Sequence, residues 1–244
     1  MSDDIGDRFK AYEGCWDFSL PRRLPMVIRV DGRAFHGLKL EKPFDTVFFI
    51  RMANVAAVLC KQIQGAVLAY FQSDEISIIA RDDMQPNTEP WVGKRLSKLL
   101  SLSSAVATAF FNEGSPYGLC QFDSRAFVLP DLSEVMNYLI WRQQDAMRNS
   151  VSMAAQAQFS HKSLHGVNTN GMLNRLRLEA NKPWEDTPTH FKRGAVLRPV
   201  TVIKEVPYTG HTRERREWQL DTEPPIFTQD REYIKTLCCL PDQP

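Results

Sequence analysis

Two acidic segments of the sequence follow or separate apolar runs, and their carboxylates are well suited to bind a metal ion. Asp31 ends the run 24–30, and Asp74 and Glu75 separate two further apolar runs. Short runs rich in β-branched residues predict strands. If the strands are neighbours in one sheet, Asp31 and Asp74 meet at its edge, where two carboxylates repel each other unless a cation lies between them. A site with few oxygen ligands favours Mg²⁺, whose coordination is completed by water and nucleotide phosphates.

The residues after Asp31 suit phosphate binding. The segment from Gly32 to His36 could present several backbone N–H groups to phosphate oxygens, with the Arg33 side chain beside them. Taken alone, Asp31-Gly32 is also a common turn dipeptide, and Asp74-Glu75 is a common hairpin tip. The predicted chemistry therefore depends on whether the fold brings the two segments together.

The predicted elements of the first half of the chain occur in the order strand, helix, strand, strand, helix, strand. This order predicts an α+β fold of the split βαβ or ferredoxin-like type (βαββαβ), with four antiparallel strands and two helices on one face. The arrangement places the first strand beside the third, so that Asp31 lies close to the hairpin that carries Asp74. The elements are strand 24–30, helix 46–63, strand 66–71, strand 76–80, helix 92–111 and strand 122–129.

Local signals set the bounds of the first long helix. Asp45 is its predicted N-cap, and Gly65 marks its end. Its apolar residues predict a buried face. The side chains expected on that face are Val47, Ile50, Ala53, Val58 and Ile63.

The second half of the chain, 131–244, predicts a helical extension with a terminal β-hairpin, packed on a first domain of residues 1–130. Asp131 begins a helix that runs through Asp145 and either continues or restarts toward Phe159. A break follows at 161–166. The remaining elements are a short helix over 169–178, a loop over 183–188, hairpin strands 195–206 and 215–220, and a mobile tail over 238–244; a short helix over 4–15 precedes the first strand.

The composition is that of an ordinary globular protein, with 43% hydrophobic and 24% charged residues. A net charge of +1 supplies no global field that would recruit RNA or an anionic membrane, so any nucleic-acid site must be a local basic patch. The five cysteines form no Cys-x-x-Cys pair and suit a reducing compartment. An acidic start without an apolar core argues against a secretory signal, and no apolar run is long enough for a membrane span. A cytoplasmic protein is expected.

Other candidate sites have simpler interpretations. Arg95 and Lys98 lie three residues apart near the start of the second helix, where they face either solvent or phosphate. His161 and His165 are four apart but lack a third ligand nearby, and Cys238-Cys239 cannot complete a tetrahedral site alone, so zinc is not expected. A non-catalytic ferredoxin-like RNA-binding module is an alternative, although its central strands should display aromatic side chains that these strands lack. A nucleotide cyclase could use the same carboxylates.

Six motifs in chain order carry a family resemblance. They are Arg29-Val-Asp-Gly-Arg-Ala-Phe-His36, Lys42-Pro-Phe-Asp45, Gln72-Ser-Asp-Glu75, Phe122-Asp-Ser-Arg125, Tyr138-Leu-Ile-Trp-Arg-Gln-Gln-Asp145 and Lys192-Arg-Gly194. Together they resemble the tRNA-histidine guanylyltransferase superfamily, which includes 3′-to-5′ polymerases that repair tRNA 5′ ends. The resemblance spans roughly residues 5 to 200 and is strongest to the bacterial, archaeal and phage branch.

The resemblance implies a polymerase-type palm that adds template-directed nucleotides to the 5′ end of tRNA or a tRNA-like RNA after activation by ATP or GTP. It implies catalytic residues Asp31, Asp74 and Glu75, and two Mg²⁺ ions held by Asp31, the Gly32 carbonyl and Asp74, with Glu75 supporting. The nucleotide-binding residues that it implies are Gly32, Arg33, Ala34, Phe35, His36, Lys42, Asp45, Ser73, Arg95 and Lys98. The RNA-binding residues that it implies are Arg125, Arg142, Arg148, Asn149, Lys192 and Arg193. A homotetramer is also implied.

Two departures from the eukaryotic pattern affect the expected specificity. Met147-Arg-Asn-Ser150 stands where eukaryotic members carry His-Ile-Asn-Asn, which argues against addition restricted to histidine tRNA. Phe44 replaces the asparagine of the eukaryotic Lys-Pro-Asn-Asp motif, so a polar contact of that side chain is missing. Histidine-tRNA-specific guanylyl transfer remains the alternative activity.

Overall fold

The apolar runs form the strands of an antiparallel sheet in the computed structural model, which describes residues 4–205 and 211–238. Within these residues the sheet has six strands in the spatial order β4-β1-β3-β2-β5-β6. The strands are β1 (Met26–Gly32), β2 (Ala66–Gln72), β3 (Glu75–Ala80), β4 (Phe122–Val128), β5 (Ala195–Glu205) and β6 (Thr212–Asp221). The first four strands lie in the order that the predicted sequence of elements requires, with β1 between β3 and β4.

Helices cover both faces of the sheet. They are α1 (Ile5–Gly14), α2 (Thr46–Gln62), α3 (Leu96–Asn112), α4 (Leu132–Gln158), α5 (His161–Leu164), α6 (Thr169–Leu178), α7 (Thr189–Arg193) and α8 (Arg231–Cys238). Asp45 and Asp131 cap α2 and α4 as predicted, because each side chain accepts a hydrogen bond from a backbone amide three residues later. No helix in the described residues is long and apolar enough to cross a membrane.

Successive side chains of β1 point to opposite faces of the sheet, and both faces are covered, which explains why apolar residues occur at consecutive positions. Ile28 and Val30 pack with α2 and α3 on one face, whereas Val27 packs with α4 and α8 on the other. A strand covered on both faces buries residues of both parities. The predicted pair of helices on one face, α2 and α3, is confirmed, and the second half of the chain covers the opposite face and extends the sheet.

The first turns of α2 bury different residues from the predicted ones. Val47 and Ile50 are 57% and 53% exposed, so their predicted burial is wrong. Ala53 and Ile63 are buried as predicted, and Val58 is half-buried. The core positions begin one residue later, at Phe48, and continue through Met52, Val55, Ala56 and Leu59. The spacing of these positions is that of one helical face.

Other differences concern the ends of elements. Helix α3 begins at Leu96 and not at residue 92, because Val92 and Gly93 adopt positive φ within a short 3₁₀ segment. The predicted break at 161–166 contains the single turn of α5, and the predicted loop 183–188 contains a 3₁₀ turn. Strand β6 is longer than predicted because it pairs with β5 as far as Glu205 and Thr212.

The predicted mobile tail begins too early. Cys238 is buried at the end of α8, and its carbonyl oxygen accepts a hydrogen bond of 2.7 Å from Arg81. The rest of that predicted tail, 239–244, lies outside the described residues, as does residue 206 of the predicted hairpin.

Candidate active site

Three acidic residues are register neighbours where β1 ends. Asp31 is the register partner of Glu75 on β3 and of Asp123 on β4. Directly opposed residues of antiparallel strands project from the same face of a sheet, with Cβ atoms about 5 Å apart. Asp74 immediately precedes β3, and its carbonyl oxygen accepts a 3.0 Å hydrogen bond from the Gly32 amide. The fold therefore brings both predicted acidic segments together at the same end of the neighbouring strands β1 and β3.

The electrostatics of Asp31 and Asp74 favour a bound cation. Burial raises the pKa of Asp31, and the charge of Asp123 raises it further against the opposing effect of nearby Arg29. Burial also raises the pKa of Asp74, and Asp31 adds to the increase. Among residues 4–205 and 211–238, neither carboxylate has a Lys, Arg or His nitrogen within 4.0 Å. A divalent cation would relieve both the burial cost and the mutual repulsion.

The donor set fits Mg²⁺ better than zinc. The described residues contain no group of three or more His, Cys, Asp or Glu side chains arranged to hold a metal. Two carboxylates and a backbone carbonyl are hard oxygen ligands that leave room for water and phosphate, as Mg²⁺ requires. A Cβ atom at Gly32 would lie 2.6 Å from the Phe35 ring, so glycine is required for this tight approach of the backbone.

The loop after Asp31 is anchored by one buried ring. Phe35 packs against Phe122, Phe111 and Phe48, with ring centroids 5.0, 5.3 and 6.0 Å away. Ala34 has a φ of 59°, and a 3₁₀ turn over Phe35–Gly37 follows it. The Arg33 guanidinium donates to the side chain of Gln121 at 3.1 Å, whereas His36 is exposed. The loop is thus held at a fixed position above the end of β1.

Glu75 is buried and paired with two arginines, although burial outweighs their charges and raises its pKa. Nε of Arg142 lies 2.8 Å from Oε1 of Glu75, and Nε of Arg29 lies 3.8 Å from Oε2. These are ion pairs without aligned hydrogen bonds, because both Nε–H groups lack a suitably directed acceptor. Arg142 is only 5% exposed and is paired inside the fold, so its side chain offers little surface for the predicted contact with RNA. The carboxylate of Glu75 therefore faces guanidinium groups, and its supporting role at the metal site stays a prediction.

A cavity of about 420 Å³ opens beside Asp74. It lies between the β2–β3 turn, the start of α2, and helices α4 and α7. Polar residues of the predicted site line it, namely His36, Lys42, Asp45, Ser73 and Asp74. The opposite wall is aromatic, since Phe44 and Phe191 stack with centroids 4.9 Å apart and His190 lies 4.3 Å from Phe49. Its volume is in the range of small-molecule sites, and its lining offers both polar and apolar contacts.

Asp45 holds the segment that forms one side of this cavity. Its carboxylate accepts hydrogen bonds from the amides of Phe48 and Glu41 at 2.9 and 3.1 Å and from the Tyr117 hydroxyl at 3.1 Å. Burial opposes its charged form, but these hydrogen bonds outweigh burial and lower the pKa of Asp45. Burial and the carboxylate together raise the pKa of Tyr117 to about 12. Much of the hydrogen-bonding capacity of Asp45 is therefore used to fix the start of α2.

Arg95 and Lys98 do not join this site. The end of α3 lies beside Phe122, whose amide donates to Thr108 at 3.2 Å and which pairs with Gly32. Because a helix of 17 residues is about 25 Å long, the start of α3 lies at the other end of the sheet. There Arg95 forms an ion pair with Asp17 and lowers the pKa of that carboxyl. The structure therefore does not bring Arg95 and Lys98 together with Asp31 and Asp74, and their predicted contact with a nucleotide stays a prediction.

The remaining predicted RNA contacts fall into two groups. Arg125, Arg148 and Asn149 are exposed, and the latter two bond to Asp145 at 3.0 and 3.3 Å. Lys192 and Arg193 are half-buried and are engaged with backbone carbonyls at 2.6 and 2.8 Å. The first group is exposed to solvent, with Arg148 and Asn149 held by Asp145, whereas the second is tied to the backbone.

The structure adds residues that the sequence did not single out for the site. Asp123 belongs to the row of carboxylates, and the register of β4 against β1 was the signal that could have shown it. His190 and Phe191 line the cavity, and burial lowers the pKa of His190. Their position depends on the packing of α7 against α2, for which the sequence offered no local signal.

Comparisons with known proteins agree with the predicted resemblance. The tRNAHis guanylyltransferase family profile matches residues 6–130. A bacterial tRNA(His) guanylyltransferase-like protein in complex with ATP is 40% identical, with a TM-score of 0.85 over 96% of this chain and 99% of that one. The corresponding GTP complex gives 39% identity and a TM-score of 0.84 over 98% and 100%. A probable tRNA(His) guanylyltransferase of Dictyostelium discoideum is 25% identical over 213 residues, which are 78% of this chain and 81% of that protein. The chain therefore belongs to the tRNA(His) guanylyltransferase family of nucleotidyltransferases.

Proposed function

We propose that the protein is a Mg²⁺-dependent 3′-to-5′ nucleotidyltransferase that adds template-directed nucleotides to the 5′ end of tRNA or a tRNA-like RNA. The observation that carries the proposal is the pair Asp31 and Asp74, half-buried carboxylates without a cationic partner in the described chain, of which Asp74 lines a cavity of about 420 Å³. The family assignment and the ATP and GTP complexes of bacterial relatives support the substrate class.

The carboxylates of Asp31 and Asp74, together with the Gly32 carbonyl, would hold two Mg²⁺ ions. When bound, such ions neutralise phosphate charge and align the attacking and leaving oxygens of an in-line displacement. The chain itself supplies positioning: Glu75, held by Arg29 and Arg142, would fix the start of β3 beside Asp31. Asp123 is placed to add negative charge to the same edge.

The cavity beside Asp74 would receive a nucleoside triphosphate. His36, Lys42 and Ser73 lie at the polar side next to Asp74 and would contact its phosphates. The stacked rings of Phe44 and Phe191 offer an apolar surface for the base. The RNA 5′ phosphate would first attack the α-phosphate of ATP or GTP and displace pyrophosphate, which leaves a nucleoside monophosphate joined to the RNA end. The 3′-hydroxyl of an incoming nucleotide would then attack the 5′ phosphate of the RNA and displace that nucleoside monophosphate.

The exposed cations Arg125 and Arg148, with Asn149, would contact the RNA backbone on the α4 side of the sheet. Residues 1–130 would form the palm-type catalytic domain, with 131–244 packed on it. We also propose a cytoplasmic homotetramer, as the family resemblance implies.

Incubation with a 5′-truncated tRNA, labelled nucleoside triphosphates and Mg²⁺ tests the function. We expect the parent to add the nucleotides that complement the opposing strand, and Asp31→Asn and Asp74→Asn to add none while remaining folded. Asp17→Asn, at the other end of the sheet, is the matched control and should retain activity. Addition of a single guanosine regardless of template would instead indicate the histidine-tRNA-specific activity. Extension by either site variant at the parental rate would refute the mechanism.

A further inference from the structure

Trp141 is an exposed aromatic residue beside the row of carboxylates, and the proposed chemistry gives it no role. Its side chain is 48% exposed on α4. An indole presented to solvent next to a candidate active site has a free apolar face that a ligand can contact.

The position of the indole is fixed by its neighbours. The guanidinium carbon of Arg142 lies 4.5 Å from the ring centroid of Trp141, and Arg142 also pairs with Glu75 at 2.8 Å. Glu75 is in turn the register partner of Asp31. One buried arginine thus separates the indole from the ends of β1 and β3, where Asp31 and Glu75 lie.

The orientation of α4 places Trp141 on the side of β4. Tyr138 contacts the Phe127 ring of β4 at 5.7 Å and the Trp141 ring at 5.9 Å. Gln143 faces the other way, since its amide bonds to the backbone of Pro225 and Phe227. Trp141 therefore lies on the same side of α4 as β4, the strand that carries Asp123 and the exposed Arg125.

The surroundings of the indole are polar. Its exposed neighbours one and two turns away along α4 are Asn137, Gln144 and Arg148. Within α4, all of which is described, the next exposed large apolar side chain is Met153, about 18 Å further along the helix, and it lines the cavity. Asp145, four residues after Trp141, pairs with Arg148 at 3.0 Å, so a phosphate would compete with it for that guanidinium. An isolated aromatic face among polar side chains suits a planar ring with polar edges, whereas a protein partner would require a continuous apolar patch.

We propose that Trp141 is a stacking platform for an unpaired nucleobase at the end of the RNA substrate, with Arg125 and Arg148 contacting the adjacent phosphates. This inference rests on the proposed function, because it takes RNA as the substrate. Bases stack on aromatic side chains in single-stranded RNA recognition, and cations beside them bind the backbone. The platform would hold the RNA end next to Asp31, while the nucleoside triphosphate occupies the separate cavity.

The test compares Trp141→Ala and Trp141→Phe with the parent in RNA binding. The probe is a 5′-truncated tRNA with an unpaired 3′ end, and the same RNA with a fully paired blunt end is the reference. We expect Trp141→Ala to weaken binding of the first RNA about 5- to 150-fold, the loss that corresponds to one stacked base. Trp141→Phe keeps a ring and should remain within about threefold of the parent, and the blunt RNA should be little affected.

Trp16→Ala is the matched control, since Trp16 is 79% exposed and lies next to Asp17, far from the carboxylates. The KM for the nucleoside triphosphate should be unchanged in every variant. If Trp141→Ala folds poorly, quenching of tryptophan fluorescence by RNA replaces the affinity measurement, and it should be lost in Trp141→Phe but kept in Trp16→Phe.

Parental RNA affinity in Trp141→Ala, equal losses in Trp141→Ala and Trp141→Phe, or full quenching in Trp141→Phe would each overturn the inference. So would a change of oligomeric state in Trp141→Ala without a change in RNA affinity, which would make the indole a contact between copies. These outcomes differ from failure of the proposed function, in which Asp31→Asn retains nucleotide addition whatever the behaviour of Trp141.

Discussion

The ion pairs of Glu75 give the sharpest test of whether this residue supports the site or takes part in the chemistry. In Glu75→Gln, Arg142 faces a neutral amide in place of a carboxylate at 2.8 Å, and Arg29 loses its partner at 3.8 Å. The side chains of Arg142 and Glu75 are 7% and 10% exposed, so little water can replace the lost charge. Removing one partner of a buried pair costs about 3–5 kcal/mol. Because Asp145 still contacts Arg142 at 3.0 Å, and because burial outweighs both arginines and raises the pKa of Glu75, we expect the lower end of that range.

Urea unfolding followed by far-UV circular dichroism measures the effect. It gives the free energy of unfolding of each variant. In thermal unfolding, a loss of about 3 kcal/mol in a chain of this size should lower the melting temperature by about 6–12 °C. Arg142→Met should be similarly destabilised, and the double variant should lose less than the sum of the single variants because neither charge is then left without its partner. Arg125→Met, which removes an exposed guanidinium, is the control and should change the free energy of unfolding by less than about 0.5 kcal/mol.

One pattern of results would refute this reasoning. If Glu75→Gln keeps the parental stability but loses nucleotide addition, Glu75 acts directly in the chemistry and its pairing with the arginines contributes little to the fold. Loss of stability with activity restored at low temperature would instead agree with the positioning role.

Three further predictions follow from buried contacts. Gly32→Ala places a Cβ atom 2.6 Å from the packed Phe35 ring, so we expect a loss of about 1–3 kcal/mol in thermal unfolding together with reduced nucleotide addition; a parental melting temperature would show that the loop has room to move. Lys94→Met leaves Asp82, which is 2% exposed, without the ammonium group 2.9 Å away, and should cost about 3–5 kcal/mol in urea unfolding; a loss below about 1 kcal/mol would contradict the buried pair. Burial raises the pKa of Asp31, so the charged carboxylate destabilises the metal-free fold above that pKa. Asp31→Asn should therefore melt at a higher temperature than the parent at pH 7 without Mg²⁺. The difference in melting temperature should disappear as the pH falls toward about 3.9, the pKa of an aspartate in an unfolded chain. An equal or lower melting temperature of that variant at pH 7 would show that the carboxylate is not destabilising.

The sequence could predict the position of Asp31 and Asp74 because strand order depends on strong local signals. Each strand is a short apolar run bounded by polar residues, and the order of the elements limits the possible neighbours. Once β1 pairs with β3, the hairpin tip that carries Asp74 must lie beside Asp31. Capping residues are equally local, which is why Asp45 and Asp131 were identified correctly.

What the sequence could not show depends on side-chain direction and on packing between distant segments. The charge of Arg142 gave no sign that it would be buried against Glu75, 67 positions earlier in the chain. The family resemblance implies a nucleotide contact for Arg95, but it does not say where that residue lies in the fold. The length and direction of α3 place Arg95 at the other end of the sheet from Asp31. Likewise, Val47 and Ile50 are apolar yet exposed, because burial depends on the rotation of α2 against the sheet.

The central claim is that Asp31 and Asp74 together bind the divalent ions that coordinate the phosphates of a nucleotide. Electron paramagnetic resonance titration of Mn²⁺ in the presence of a non-reactive nucleoside triphosphate counts these ions directly. We predict that the parent and Asp17→Asn bind two Mn²⁺ ions per chain in excess of the nucleotide-only control, and that Asp31→Asn and Asp74→Asn lose at least one of them. Unchanged Mn²⁺ binding in both site variants would contradict the account.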